Sequence, residues 1–149
     1  MKVIIEYERI LIGENALEYY PYYFGIWNRD IDYRITIKNV LAQWASALAT
    51  LNGSRSEVYL PYYLDDQICR FLKAESDGGR VVLTDVEVAD DGWAMNLDNL
   101  GDRMYTEPEI IGSYVDYFGN EHKDTSKPFG WYSLNEVIEA LRAAEIGDA

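Results

Sequence analysis

An α+β fold, with an antiparallel sheet of about five strands (a β-meander) covered by two amphipathic helices, is predicted by three features of the chain. They are period-two alternation near the N-terminus, two apolar stripes at helical spacing, and glycine-bearing turn signals between β-rich runs. Val3, Ile5 and Tyr7 alternate with Lys2, Glu6 and Glu8, so residues 2 to 11 read as one strand with a wet face. Residues 12 to 34 have no clean period. They hold Tyr19, Tyr20, Tyr22, Tyr23, Phe24 and Trp27, interrupted by Pro21 and Gly25, and this aromatic segment suits core, pocket or interface alike.

The first helix is predicted to start with Thr36 as its N-cap. Ile37, Val40, Leu41, Trp44, Leu48 and Leu51 fall on one stripe, and Asn52-Gly53 closes the helix with residues that tolerate a left-handed backbone. A strand over 56 to 63 follows, in which Pro61 argues for an edge or a bulge. Residues 67 to 74 and 80 to 88 flank Ser76-Asp77-Gly78-Gly79, a hairpin loop. Asp91-Gly92 signals a second hairpin before Trp93-Ala94-Met95. Residues 97 to 109 read as a loop, Ile110 to Phe118 as a strand, and 119 to 130 as a polar stretch broken by glycine and proline. Ser133-Leu134-Asn135-Glu136 is a capping box opening the second helix, whose stripe is Leu134, Val137, Ile138, Leu141 and Ala144. Two such helices blanket one sheet face and leave the other for solvent or a partner. With no repeat or linker, residues 1–149 form a single domain.

Composition narrows the function. The net charge is -13, yet 48% of the residues are hydrophobic, too many for a disordered acidic chain. No signal peptide is expected, because Glu6, Glu8 and Arg9 break the first apolar run. No window approaches the ~20 apolar residues of a membrane span. The single cysteine, Cys69, suits a reducing compartment, so a cytoplasmic location is expected. The negative field disfavours nucleic acid and anionic membranes, and it favours a basic protein partner.

Catalytic and metal chemistry find little purchase. Cys69 and His122 could form a nucleophile–base pair only if the fold joined them, and a buried cysteine with a solvated histidine is the simpler account. One His and one Cys cannot make a structural zinc site. Asp90, Asp91, Asn96, Asp98 and Asp102 crowd together, but the run from Asn96 to Gly101 fails the EF-hand pattern at its fifth position, Leu100. Asp102 or Asp116 followed by Glu121-His122-Lys123 resembles the acid…Glu-x-Lys signature of restriction-type nucleases, though on a loop instead of a strand. The 26 acids guarantee carboxylate pairs, so no pair singles out glycoside chemistry. Neither a phosphate-cradling glycine loop nor a nucleophile elbow is present. No cofactor, no metal and no catalytic activity are expected.

Thirteen tyrosines in 149 residues point toward binding, since Tyr offers contact area, few rotamers and a polar tip. Aromatics and acids combine in Tyr59-Leu60-Pro61-Tyr62-Tyr63-Leu64-Asp65-Asp66, in Tyr114-Val115-Asp116-Tyr117, and in Asp85-Val86-Glu87 running on to Asp90, Asp91 and Trp93. The expected partner-binding residues are therefore Tyr62, Tyr63, Asp65, Asp66, Asp85, Glu87, Asp90, Asp91 and Trp93.

Trp44, Leu48 and Leu51 on a helix, then Gly53, the strand Glu57-Val58-Tyr59-Leu60-Pro61, the Asp65-Asp66-Gln67 step, and strands through Val88 and Trp93 make up an ordered pattern over residues 35 to 95. In element order and acidity it resembles the small acidic immunity proteins of bacterial polymorphic toxin and contact-dependent growth inhibition systems. The resemblance implies a single cytoplasmic domain that binds and blocks a toxin domain, often a basic nuclease, without catalysis. It carries no diagnostic motif, and no binding residue transfers by position.

Three functions are thus expected in order. The first is an inhibitory binding protein that loses its partner on charge reversal at Asp85, Glu87, Asp90 or Asp91. The second is a small-molecule or peptide-binding module with a Tyr/Trp-lined pocket over residues 19 to 27. The third is a Mg²⁺-dependent hydrolase or nuclease that needs Glu121. Oligomeric state is open.

Overall fold

A computed structural model of the chain describes residues 1–26, 32–52, 56–64, 68–89 and 127–147. The fold is α+β. Among the described residues the strands form two four-stranded sheets in place of one sheet of about five. The difference begins at residues 2 to 11, which are a hairpin of β1 (Val3–Glu6) and β2 (Arg9–Ile12). Val3 and Ile5 are buried, and so are Ile10 and Ile12. An unbroken strand sends odd and even positions to opposite faces, so burying both sets requires a turn that switches parity. Tyr7 and Glu8 make that turn, pairing Ile5 with Ile10 and Val3 with Ile12. β3 (Asn15–Leu17) adds to β2, and β8 (Glu145–Ile146) joins β1 in parallel, completing the order β3-β2-β1-β8.

The meander is β4 (Glu57–Leu64), β5 (Ile68–Asp77) and β6 (Arg80–Ala89), followed on the same sheet by β7 (Lys127–Ser133). Gly78 and Gly79 alone span the β5–β6 turn at φ of +57° and +86°, so the two strands run further into the turn than the loop signal suggested. Among the described residues Pro61 lies on an edge strand, beside a register shift, meeting both expectations for it. β7 occupies part of the stretch that reads as polar and irregular. Its bulge and Gly130, at φ +127°, disguise the alternation.

α1 (Tyr33–Ala49) begins one turn earlier than expected. Asp32 is its N-cap in place of Thr36, and the Asp32 carboxylate accepts from the Arg34 N–H at 3.1 Å. The apolar stripe reaches back to buried Tyr33, and Asp caps more strongly than Thr. The helix closes through a tight turn at Thr50–Asn52, where the Thr50 hydroxyl donates to the Ala47 carbonyl at 2.6 Å. α2 (Leu134–Arg142) starts at Ser133, whose hydroxyl accepts from the Glu136 N–H at 3.4 Å. The Glu136 carboxylate accepts the N-terminal ammonium at 3.1 Å, tying the first residue to the helix.

The two helices pack on each other, and α1 also touches β1 and β4. All six residues of the expected α1 stripe and all five of the α2 stripe are buried. They join both sheets in one contiguous core around Trp44, Leu41 and Ile37. The second face of the meander sheet is partly buried and partly open, with Trp131, paired with Val82, 54% exposed on it. Phe71, Tyr59 and Val86 are buried outside that core, with Phe71 paired between Pro61 and Val86. Among the described residues no helix is long and apolar enough to cross a membrane.

Candidate functional site: an acidic tyrosine cleft

The β1–β2 turn and the segment after β3 enclose a cleft of about 670 Å³. Its aromatic wall comes from Tyr7, Tyr19, Tyr20, Tyr22 and Tyr63, and its acids are Glu6, Glu8 and Glu18. Local chemistry sets this wall. Pro21, pre-set in φ, opens a tight helical turn at Pro21–Phe24, and Gly25 closes it at φ +78°. The Ile26 N–H then donates to the Pro21 carbonyl at 2.9 Å. The segment is fixed to β4 by the Tyr20 N–H donating to the Tyr62 carbonyl at 3.0 Å. It is fixed to β1 by the Tyr19 hydroxyl donating to the Glu6 carbonyl at 3.0 Å. Burial pushes the Tyr19 phenol up to about 12, so the ring is neutral at physiological pH.

The rings are ordered against one another. Tyr20 stacks on Tyr63 at 5.0 Å and 29°, and Tyr22 meets Tyr20 edge-on at 5.4 Å. Tyr22 stays half exposed at 50%. Among the described lining residues the one cation is Arg9, which is held by Glu6 through bonds of 2.9 and 2.5 Å. Glu8 and Glu18 are exposed and make no ion pair among the described residues, so the described lining is net negative.

The cleft continues through Tyr63 into a charged cluster on the meander. The Arg70 guanidinium lies 4.7 Å from the Tyr63 ring centre and bonds the Glu87 carboxylate at 3.2 Å. Burial works against the charge on Arg70, but the field and hydrogen bond of Glu87 outweigh it and raise its pKa. Beside this pair the Tyr62 hydroxyl donates to the Asp85 carboxylate. Burial, reinforced by the Asp85 charge, strongly raises the Tyr62 phenol.

Of the residues expected to bind a partner, Tyr62 is 1% exposed and belongs to the core, so its ring offers no outward contact. Asp85 and Glu87 do share a strand face, but each has an internal partner, Tyr62 and Arg70 respectively. Tyr63 lines the cleft. Asp65, Asp66, Asp90, Asp91 and Trp93 lie outside the described residues. So do His122, Glu121, Asp116 and the acids proposed for calcium, while Cys69 has its backbone in β5 opposite Leu64 and Val88. The expected Tyr/Trp segment supplies Tyr19, Tyr20, Pro21, Tyr22 and Ile26 to the cleft, and Trp27 lies outside the described residues. Sequence reasoning missed the site's acids, Glu6, Glu8 and Glu18. The parity switch between Ile5 and Ile10 was the available signal, since it demands a turn at Tyr7-Glu8.

No protein-family model matches this chain, and neither do any curated protein or solved structure.

Proposed function

We propose that this protein is a non-catalytic acidic binding protein of the immunity type, acting in the cytoplasm to neutralise a basic toxin domain. The observation that carries the reading is the cleft: ordered tyrosine rings beside two carboxylates that make no ion pair among the described residues. Aromatic rings and unpaired carboxylates are complementary to Lys and Arg, and they are poor surfaces for phosphate. The net charge of -13 supports it, because a field of that sign accelerates encounter with a basic surface.

The test is capture from the source cytoplasm at low salt, followed by identification and a salt titration of the purified pair. A basic protein, released as salt rises and lost on combined Glu8→Lys and Glu18→Lys reversal, is the expected result. A neutral or acidic partner held independently of salt refutes the reading.

A second reading is a small cationic ligand in the same cleft. The volume of about 670 Å³ favours it, falling among those of small-molecule sites. A small amine that raises the melting temperature, with no protein captured, is the result that selects it.

A further inference from the structure

We propose that the cleft recognises an arginine side chain presented by the partner polypeptide, the guanidinium lying on the Tyr20–Tyr22 corner with Glu8 and Glu18 as its counter-charges. The inference rests on the basic-partner reading and names the contact that reading requires. Tyr20 and Tyr63 form a stacked floor, and Tyr22 stands edge-on at 5.4 Å with half its surface exposed. A flat guanidinium suits such a corner because it is weakly hydrated and stacks on ring faces, whereas an ammonium is a compact, strongly hydrated charge. Among the described residues Glu6 is taken up by Arg9, while Glu8 on the turn and Glu18 after β3 make no ion pair and serve as counter-charges to the incoming cation.

The protein already makes this contact internally. Arg70 lies 4.7 Å from the Tyr63 ring while it bonds Glu87 at 3.2 Å. Arg34 and Arg80 sit at 4.9 and 4.8 Å over Tyr33 and Trp131, while Lys73 stays 5.8 Å from Tyr59. Tyr63 thus joins an internal arginine contact to the Tyr20 ring of the cleft, and an arginine from outside repeats that contact at the Tyr20–Tyr22 corner.

The experiment uses the full chain and blocked five-residue glycine peptides carrying one central arginine, lysine or citrulline, read by NMR shifts of the tyrosine rings. The arginine peptide is expected to shift Tyr20 and Tyr22 saturably, with affinity about tenfold above the citrulline peptide and clearly above the lysine peptide. Tyr22→Ala and Glu18→Gln, both at exposed positions, should each weaken it about fivefold or more, and Glu18→Gln should do so with an unchanged melting curve. Equal binding of arginine and citrulline, equal binding of arginine and lysine, or shifts confined to residues away from the cleft would each overturn the inference. If the arginine peptide leaves the cleft silent while a basic protein is still captured in a salt-dependent way, the inference fails and the partner reading stands. If the peptide fills the cleft and no basic protein is captured, the reverse holds.

Discussion

Tyr62→Phe is the substitution that decides whether Asp85 belongs to the fold or to an outer binding surface. The ring is 1% exposed, so Phe keeps its packing and removes only the hydroxyl. That hydroxyl donates to a carboxylate on the adjoining region of the sheet. A net contribution of about 1.5–3 kcal/mol is typical for a hydrogen bond to a charged group. Asp85 is only partly buried and has a further interaction, so the lower half of that range applies, about 2 kcal/mol. For a chain of this length that loss corresponds to about 4–8 °C in melting temperature. Urea unfolding of Tyr62→Phe, Asp85→Asn and the double variant yields the coupling directly, with at least about 1 kcal/mol expected. Asp85→Asn should cost less than Asp85→Ala, because an amide oxygen still accepts the bond. A Tyr62→Phe protein within about 0.5 kcal/mol of the parent, with coupling near zero, refutes the reasoning and returns Asp85 to the surface.

Trp44 is fully buried, and its indole Nε1–H has no hydrogen-bond partner among the described residues. Trp44→Ala should cost about 3–5 kcal/mol in urea unfolding. Trp44→Phe should cost only about 1–2 kcal/mol, because it also removes an unsatisfied donor, and equal costs for the two would contradict this account. Alkaline stability follows from Tyr19. Its folded pKa is raised from 10.0 to about 12, so its contribution is complete below pH 10 and is lost as pH climbs toward 12. The loss is on the order of 2 kcal/mol, and the raised Tyr62 phenol adds to it in the same direction. Melting temperatures between pH 9 and pH 12 (about 9 to about 12 as the working window) should fall more steeply for the parent than for Tyr19→Phe, and parallel curves would show that Tyr19 is not the group.

The helices were legible because packing and periodicity agree there. The Ser133 N-cap and stripe of α2, and the stripe of α1, stand as the sequence reads them, while the Glu136 carboxylate of the expected capping box bonds the N-terminal ammonium. The β4–β5–β6 part of the meander was legible because Gly78-Gly79 and Pro61 each permit few backbone solutions, while the second hairpin signal, Asp91-Gly92, lies outside the described residues. Sheet count was not. Two short strands joined by Tyr7-Glu8 look like one longer strand when the turn carries neither Gly nor Asn, and only the switch of apolar positions from odd to even betrays it. The same blind spot hid the site. Tyr19, Tyr20 and Tyr22 were visible as an aromatic cluster, but Glu8 reaches them through strand pairing and the cleft, which local sequence does not encode. The acids of β6 misled in the opposite sense. Asp85 and Glu87 looked free because their partners come from other strands of the sheet, Arg70 from adjacent β5 and Tyr62 from β4 beyond it.

Glu8 is where stability and the proposed function separate. It is the described non-glycine residue with positive φ, at +67°, in a conformation that costs an ordinary side chain about 1–2 kcal/mol and that Asn or Gly tolerates better. A turn selected for stability alone has Asn or Gly at this position, and this turn has a carboxylate at the cleft. Glu8→Asn is therefore expected to raise stability by about 0.5–1 kcal/mol while weakening binding of a cationic ligand. Gly gains less, since it adds freedom to the unfolded chain. Glu8→Gln separates the two effects, keeping the backbone strain and losing the charge. It should bind as weakly as Glu8→Asn with no gain in melting temperature. If Glu8→Asn is stabilised and still binds like the parent, the carboxylate has no role in recognition. If it is destabilised, the left-handed turn is not what limits this hairpin.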